Sequence, residues 1–138
     1  MEDRYLSKAK RVDNGEWVQG YLVYDNRDKL YRIIMEIQYS TGTCITTDNA
    51  PRVDSSTICR CTGSKDKNGK LIWENDIANC FEAECCGKIS WNESEAGFYF
   101  DVLLEDGTYE EEHIYDYADC MDVIGNIFDN PELLEREE

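Results

Sequence analysis

Turn signals cut this chain into short runs rich in residues that favour strands, and that spacing points to a mainly β fold. "EWVQGYLVYDNRDKLYRIIMEIQY" sets two runs of Val, Ile, Leu and Tyr around the polar turn Asp25, Asn26, Arg27 and Asp28, a hairpin signal. In the second run Ile33, Ile34, Met35 and Ile37 crowd together, a pattern that admits a helix without favouring one. "STGTCITTDNAPRVDSSTICRC" then mixes Thr and Ser with Gly, Asn, Asp and Pro. It predicts a short strand near Cys44 to Thr46, a loop through Pro51 and a strand near Ile58 to Cys61. The loop marks a lobe boundary, giving an N-terminal β lobe over 1–56 and a second part over 57–138.

"GSKDKNGKLIWENDI", residues 63–77, raises three readings: a metal loop, a phosphate cradle, or a corner in a β fold. A calcium loop of the EF-hand type needs glycine at its sixth position and glutamate at its twelfth, where counting from Asp66 gives Leu71 and Ile77. A Walker loop fails as well, because Lys70 precedes Leu71 rather than Ser or Thr. The corner fits. Asn68 and Gly69 tolerate positive φ and Asp66 can bond the backbone ahead of it, so "DKNG" reverses the chain and "KLIWENDI" resumes an extended run.

Further on, "GKISW" reads as a strand and "GFYFDVLLEDGTYEEEHIYDY" as the strongest hairpin. A two-residue turn at Asp106 and Gly107 places Leu104 opposite Tyr109, Phe100 opposite His113, Phe98 opposite Tyr115 and Val102 opposite Glu111. The last pair is a misfit that a bulge or a sheet edge would resolve. Near the end, Asn130 is a good N-cap, Pro131 suits a first helical position and Glu132 suits the positive helix terminus, predicting a short C-terminal helix. Short strands with regular turns and few helical stretches argue for a small barrel or sandwich.

At 138 residues the chain suits one domain, or one domain with a small attached lobe. It has no run of 18 apolar residues, and "MEDRYLSKAKRVDNGE" is polar throughout, so the expectation is a cytoplasmic protein without a membrane span or signal peptide. Seven cysteines, an odd number, argue for reduced thiols rather than a disulfide framework. Neither the Cys59, Cys61 pair nor the Cys80, Cys85, Cys86 cluster has zinc-knuckle spacing, so they read as small buried hydrophobes and no metal or other cofactor is expected.

Charge separates the two halves. Residues 1–69 hold 11 Lys/Arg and 10 Asp/Glu, whereas 70–138 hold 3 and 20. Such an acidic surface repels phosphate backbones, which argues against direct nucleic-acid binding. It reads as a solubilising surface or as a face for a basic partner. Catalysis finds little support, since the one histidine, His113, stands beside Glu111 and Glu112 without a triad, and no G-x-S-x-G occurs. The expectation is a non-enzymatic protein that binds another protein, with Tyr99, Tyr109, Glu110, Glu111, Glu112 and Tyr115 as candidate contacts. The alternative is an acidic DNA mimic that occupies the cleft of a host DNA-binding or defence protein. A β edge that pairs with a second copy is compatible with either.

The segment "TGSKDKNGKLIWENDI", the near-terminal "VIGNIFDNPELL" and the opening "KAKRVDNGEWVQGYLV" together resemble the YopX family of phage and prophage proteins, over nearly the whole chain. The resemblance implies a mainly β protein with an SH3-like barrel carrying the turn motif and the later strands, encoded by a phage or prophage. It brings no established activity. The family motif maps onto Gly63, Asp66, Asn68, Gly69, Asp76, Gly125, Asn126, Pro131 and Leu133, which read as turn, cap or packing positions. Asn75 stands where the family usually has glycine, and Asn also adopts the left-handed conformation. Cys61 stands where the family often has an aromatic residue.

Overall fold

A computed structural model of the protein describes residues 5–34, 50–80, 85–104 and 106–134, with the backbone alone described at Cys85, Tyr115 and Asp116. The chain divides into two compact units, Met1–Arg60 and Cys61–Glu138. The expected strand near Cys44 to Thr46 lies outside the described residues.

The first unit holds β1 (Ser7–Lys10), β2 (Trp17–Asp25), β3 (Leu30–Ile34) and the first two residues of β4 (Cys59–Lys65). β2 and β3 form the hairpin expected around Asp25–Asp28, with Tyr24 opposite Tyr31 and Asp25 opposite Leu30. β1 lies antiparallel to β2 and pairs Ser7 and Lys8 with Arg60 and Cys59 on its other side. Alternation along "SKAK" buries Ala9 while Lys8 and Lys10 place their ammonium groups 5.0 and 5.4 Å from the Trp17 ring. Ala9, Ile33 and Val53 make a small core, with Val18, Leu22 and Ile58 packed against it.

In the second unit the rest of β4 pairs with β5 (Leu71–Trp73), the two joined by the turn at Asp66–Gly69. That turn is built around one buried carboxylate. Asp66 Oδ1 accepts the backbone N–H of Asn68 and of Lys70, each at 2.9 Å, and Oδ2 accepts that of Val123 at 3.1 Å. Gly69 takes φ +80°, a conformation glycine adopts without steric cost. A second tight turn follows directly: Asn75 takes φ +72° and Asp76 Oδ2 accepts the Trp73 N–H at 2.8 Å.

Beyond it, β6 (Asp76–Cys80), β7 (Cys85–Asn92), β8 (Gly97–Leu103), β9 (Tyr109–His113) and β10 (Met121–Asn126) build an antiparallel sheet ordered β10-β6-β7-β8-β9. Its order is linear, so the sheet is open, with β10 and β9 at its edges, rather than the closed barrel expected. One face carries the core: Ala78, Cys80, Ile89, Phe100, Met121 and Val123, joined by Ile72, Ile114 and Ala118. Gly87 is required there, because a Cβ at that position would run into the carbonyl of Asp101 and the ring of Phe100. The register of β10 against β6 shifts between Val123 and Gly125, leaving Ile124 as the extra residue of a bulge and partly exposed.

The β8–β9 hairpin forms, but its register differs by one residue from the expected one. Leu104 N–H donates to the Thr108 carbonyl at 2.8 Å, so three residues, not two, make the loop, with Gly107 at φ +89°. Phe100 therefore faces Glu112, Val102 faces Glu110, Asp101 faces Glu111 and Tyr99 faces His113. Nor does Phe98 meet Tyr115: β9 stops at His113 and the chain turns into α1 (Ile114–Tyr117), which sinks Ile114 into the core. A 3-10 turn over Ala118–Cys120 leads into β10. After Asn130, where a short C-terminal helix was expected, the described chain makes a single 3-10 turn, Pro131–Leu134. No helix among the described residues is long and apolar enough to cross a membrane.

Candidate interaction face

Period-two alternation, which sends Phe98, Phe100 and Val102 to the core, sends Tyr99 and Asp101 to the opposite face of β8. Their register partners are Ser90 and Lys88 on β7, and His113 and Glu111 on β9. The result is a polar row laid across three strands. The Tyr99 and His113 rings lie 4.5 Å apart between centroids, with Tyr99 Oη and His113 Nε2 at 3.3 Å. Asn92 Nδ2 donates to Glu111 Oε2 at 3.1 Å, reaching from β7 to β9. At the far end Lys88 Nζ stands 5.4 Å from the Tyr109 ring, which is 44% exposed.

Asp101 is the unusual member. It is buried, and its Oδ1 lacks a hydrogen-bond partner, the one such side-chain atom among the described residues. Burial pushes its carboxyl above the usual range; a hydrogen bond with Ser90 opposes the shift, the Glu111 carboxylate adds to it and Lys88 opposes it. Burial likewise raises the Tyr99 phenol, helped by Glu95 and Glu111. The row thus presents a carboxyl whose charged form is disfavoured, flanked by an aromatic pair, an acid and a lysine. It is equipped for hydrogen bonding and stacking.

Of the candidate contacts read from the sequence, Tyr99, Tyr109 and Glu111 come together here. Tyr99 is buried and so serves as support, while Tyr109 is the exposed aromatic of the row. Glu110 and Glu112 lie on the other side of β9, opposite Val102 and Phe100. The backbone of Tyr115 belongs to α1, and its side chain lies outside what is described. Lys88, Ser90, Asn92 and Asp101 were missed. The available signal was an aspartate set inside the apolar run "FYFDVLL", a position that burial makes costly unless the strand is using it.

The motif residues serve the backbone. Gly63 has φ +83°, and Asn68 Nδ2 donates to Asp122 Oδ1 at 3.1 Å. Asn126 Oδ1 accepts the N–H groups of Phe128 and Asp129 at 3.0 and 2.9 Å, while Asn126 N–H donates to Asn130 Oδ1 at 3.2 Å. A Cβ on Gly125 would collide with that Asn130 side chain. Leu133 N–H donates to the Asn130 carbonyl within the turn begun by Pro131.

The first unit concentrates its charge differently. Arg32, 10% exposed at its side chain, donates through Nε to Asp25 Oδ2 at 3.1 Å, through Nη2 to Asp28 Oδ2 at 2.6 Å and through Nη1 to the Ala50 carbonyl at 2.8 Å. Arg27 grips both oxygens of Asp25, and Arg52 Nε meets Asp28 Oδ2 at 3.1 Å. Hydrogen bonding from Arg27 lowers the Asp25 carboxyl to about 2. Here Asp25 and Asp28 are both paired with arginines of the same unit.

Cys59, Cys61 and Cys80 are buried, Cys86 and Cys120 half-buried, and burial pushes the Cys86 thiol up. Among the described residues no three His, Cys, Asp or Glu side chains are grouped to hold a metal ion. In comparison with known proteins, the family model described as YopX protein matches residues 8–135. No curated protein matches the chain.

Proposed function

The chain belongs to the YopX family, and from the face on β7, β8 and β9 we propose that it is a non-enzymatic accessory protein that binds another protein. The observation that carries this reading is a polar row that ends in the exposed ring of Tyr109 and is backed by the buried carboxyl of Asp101, whose Oδ1 lacks a hydrogen-bond partner. A fold that only needed a stable sheet would gain by an apolar residue there. In this reading the second unit is an SH3-like module with its sheet open, and the protein is phage- or prophage-encoded and works in the host cytoplasm without cofactor, nucleic acid or membrane.

Charge supports specific side-chain recognition over the alternative, an acidic DNA mimic. Residues 61–138 hold 5 Lys/Arg and 21 Asp/Glu. Yet Glu110, Glu111 and Glu112 line the β9 edge while Asp119 and Asp122 lie at the β10 edge, with three strands between them, or about 19 Å at the usual strand spacing. A groove-following row of phosphate substitutes needs them in one path.

The test is capture from host lysate by the tagged protein, compared with a Tyr109→Ala, Glu111→Ala double variant, washed at low and then high salt. The reading expects a protein retained through high salt by the wild type and lost with the double variant. Equal retention by both would sink it, and release of a DNA-binding protein by salt alone would favour the mimic.

A further inference from the structure

Cys80 ends β6 and Cys120 directly precedes β10, two strands that run side by side with Met121 paired to Cys80. Forty positions apart in sequence, the two sulfurs lie 2.8 Å from each other. That is well inside the ~3.5–4.0 Å at which carbon atoms rest in contact, and sulfur is the larger atom. Nothing separates them. Cys120 Sγ also stands 3.1 Å from the Tyr117 carbonyl oxygen, a contact that holds it in place beside Cys80. Cys80 is 1% exposed and Cys120 only half-buried, so the pair has a closed member and an open one.

We propose that Cys80 and Cys120 form a reversible disulfide, making this corner of the sheet a redox-modification site whose co-reactant is a low-molecular-weight disulfide such as oxidised glutathione. The thiolate of Cys120, the accessible sulfur, attacks one sulfur of the reagent. The reagent's S–S bond breaks, one small thiol leaves with the proton given up by Cys120, and a mixed disulfide remains on Cys120. Cys80, having lost its own proton, then attacks the Cys120 sulfur and expels the second small thiol. Two protein thiols are oxidised and one disulfide is reduced to two thiols. A reducing compartment keeps the pair open, and an oxidising one closes it.

Closure ties the edge strand β10 to β6 and encloses the segment that carries β7, β8 and β9. It restricts the unfolded chain and should raise the melting temperature by about 5–15 °C. The sequence hides the pair because Cys120 stands apart from the Cys80, Cys85, Cys86 cluster, and only the strand order brings it back.

The experiment equilibrates the full-length folded protein in glutathione redox buffers, blocks remaining thiols, and digests it after glutamate. Cleavage there separates 75–82 with Cys80, 85–93 with Cys85 and Cys86, and 113–132 with Cys120. The expected product joins 75–82 to 113–132 at about 2 Da below the sum of the two peptides, and the oxidised protein melts higher than the reduced one. The wild-type map needs no variant to fold, and Cys120→Ser serves as a second check by abolishing the linked peptide. A link from 113–132 to 85–93, or glutathione persisting on Cys120 without any link, would overturn the proposal.

Discussion

Asp25 at the tip of the β2–β3 hairpin and Asp101 at the centre of β8 are buried to a similar degree, 7% and 9% exposed, yet meet opposite surroundings. Asp25 accepts from two arginines and a backbone N–H, and its carboxyl is lowered to about 2. Asp101 has one oxygen without a partner and a carboxylate, Glu111, as its register neighbour, and its carboxyl is raised. The first aspartate stabilises its hairpin by remaining charged. The second resists being charged, and on the function proposed above it serves the face rather than the fold. Burial alone therefore does not fix the charge state of an acid; its hydrogen-bond partners and neighbouring charges do.

Asp66 is a third buried carboxylate, and its three acceptor bonds all come from backbone N–H groups. Asp66→Ala leaves buried donors unmatched and should cost about 3–5 kcal/mol in urea denaturation. Next in size is Gly87→Ala, which drives a methyl group against the Asp101 carbonyl and the Phe100 ring. It should cost about 2–3 kcal/mol by the same measurement, since backbone cannot move aside as a flexible side chain does.

Smaller effects separate the two aspartates by sign. The folded Asp25 carboxyl, at about 2, lies below its unfolded value of about 3.9, so its stabilisation is present above pH ~4 and is lost as pH falls toward 2. Asp25→Asn should lower the melting temperature at pH 7 and flatten its decline between about pH 4 and pH 2. For Asp101 the folded carboxyl is raised, so its favourable contribution is present below the unfolded value of about 3.9 and is lost as pH climbs through the folded one. Asp101→Asn, measured the same way, should therefore lose no stability at pH 7, and any advantage over wild type should shrink as pH falls toward 4. A large loss at pH 7 would erase the contrast.

Turn chemistry was the most legible part of the sequence, because it is local. The Asp25–Asp28 reversal and the glycine at 69 each follow from residues within four positions of one another, whereas the left-handed Asn75 followed from the family resemblance. Alternation in "GKISW" and "GFYFDVLL" likewise marked their strands. Register was not legible, since "EDG" suits a two-residue or a three-residue loop, and only the Leu104–Thr108 closure decides between them. That single step moved Glu111 from Val102 to Asp101 and created the row described above. The turn into α1 at Ile114 was hidden too, because an isoleucine after a strand reads as more strand until the core claims it. The neighbours of Asp101 and Cys120 were hidden for the same reason: they lie on other strands.

A carbon-detected NMR titration of the aspartate carboxyl groups in the folded protein tests the central contrast most directly. Asp101 should titrate above the usual carboxylate range and Asp25 near 2. If Asp101 instead titrates at or below about 3.9, its oxygen is satisfied within the fold, and the case for a face reserved for a partner fails.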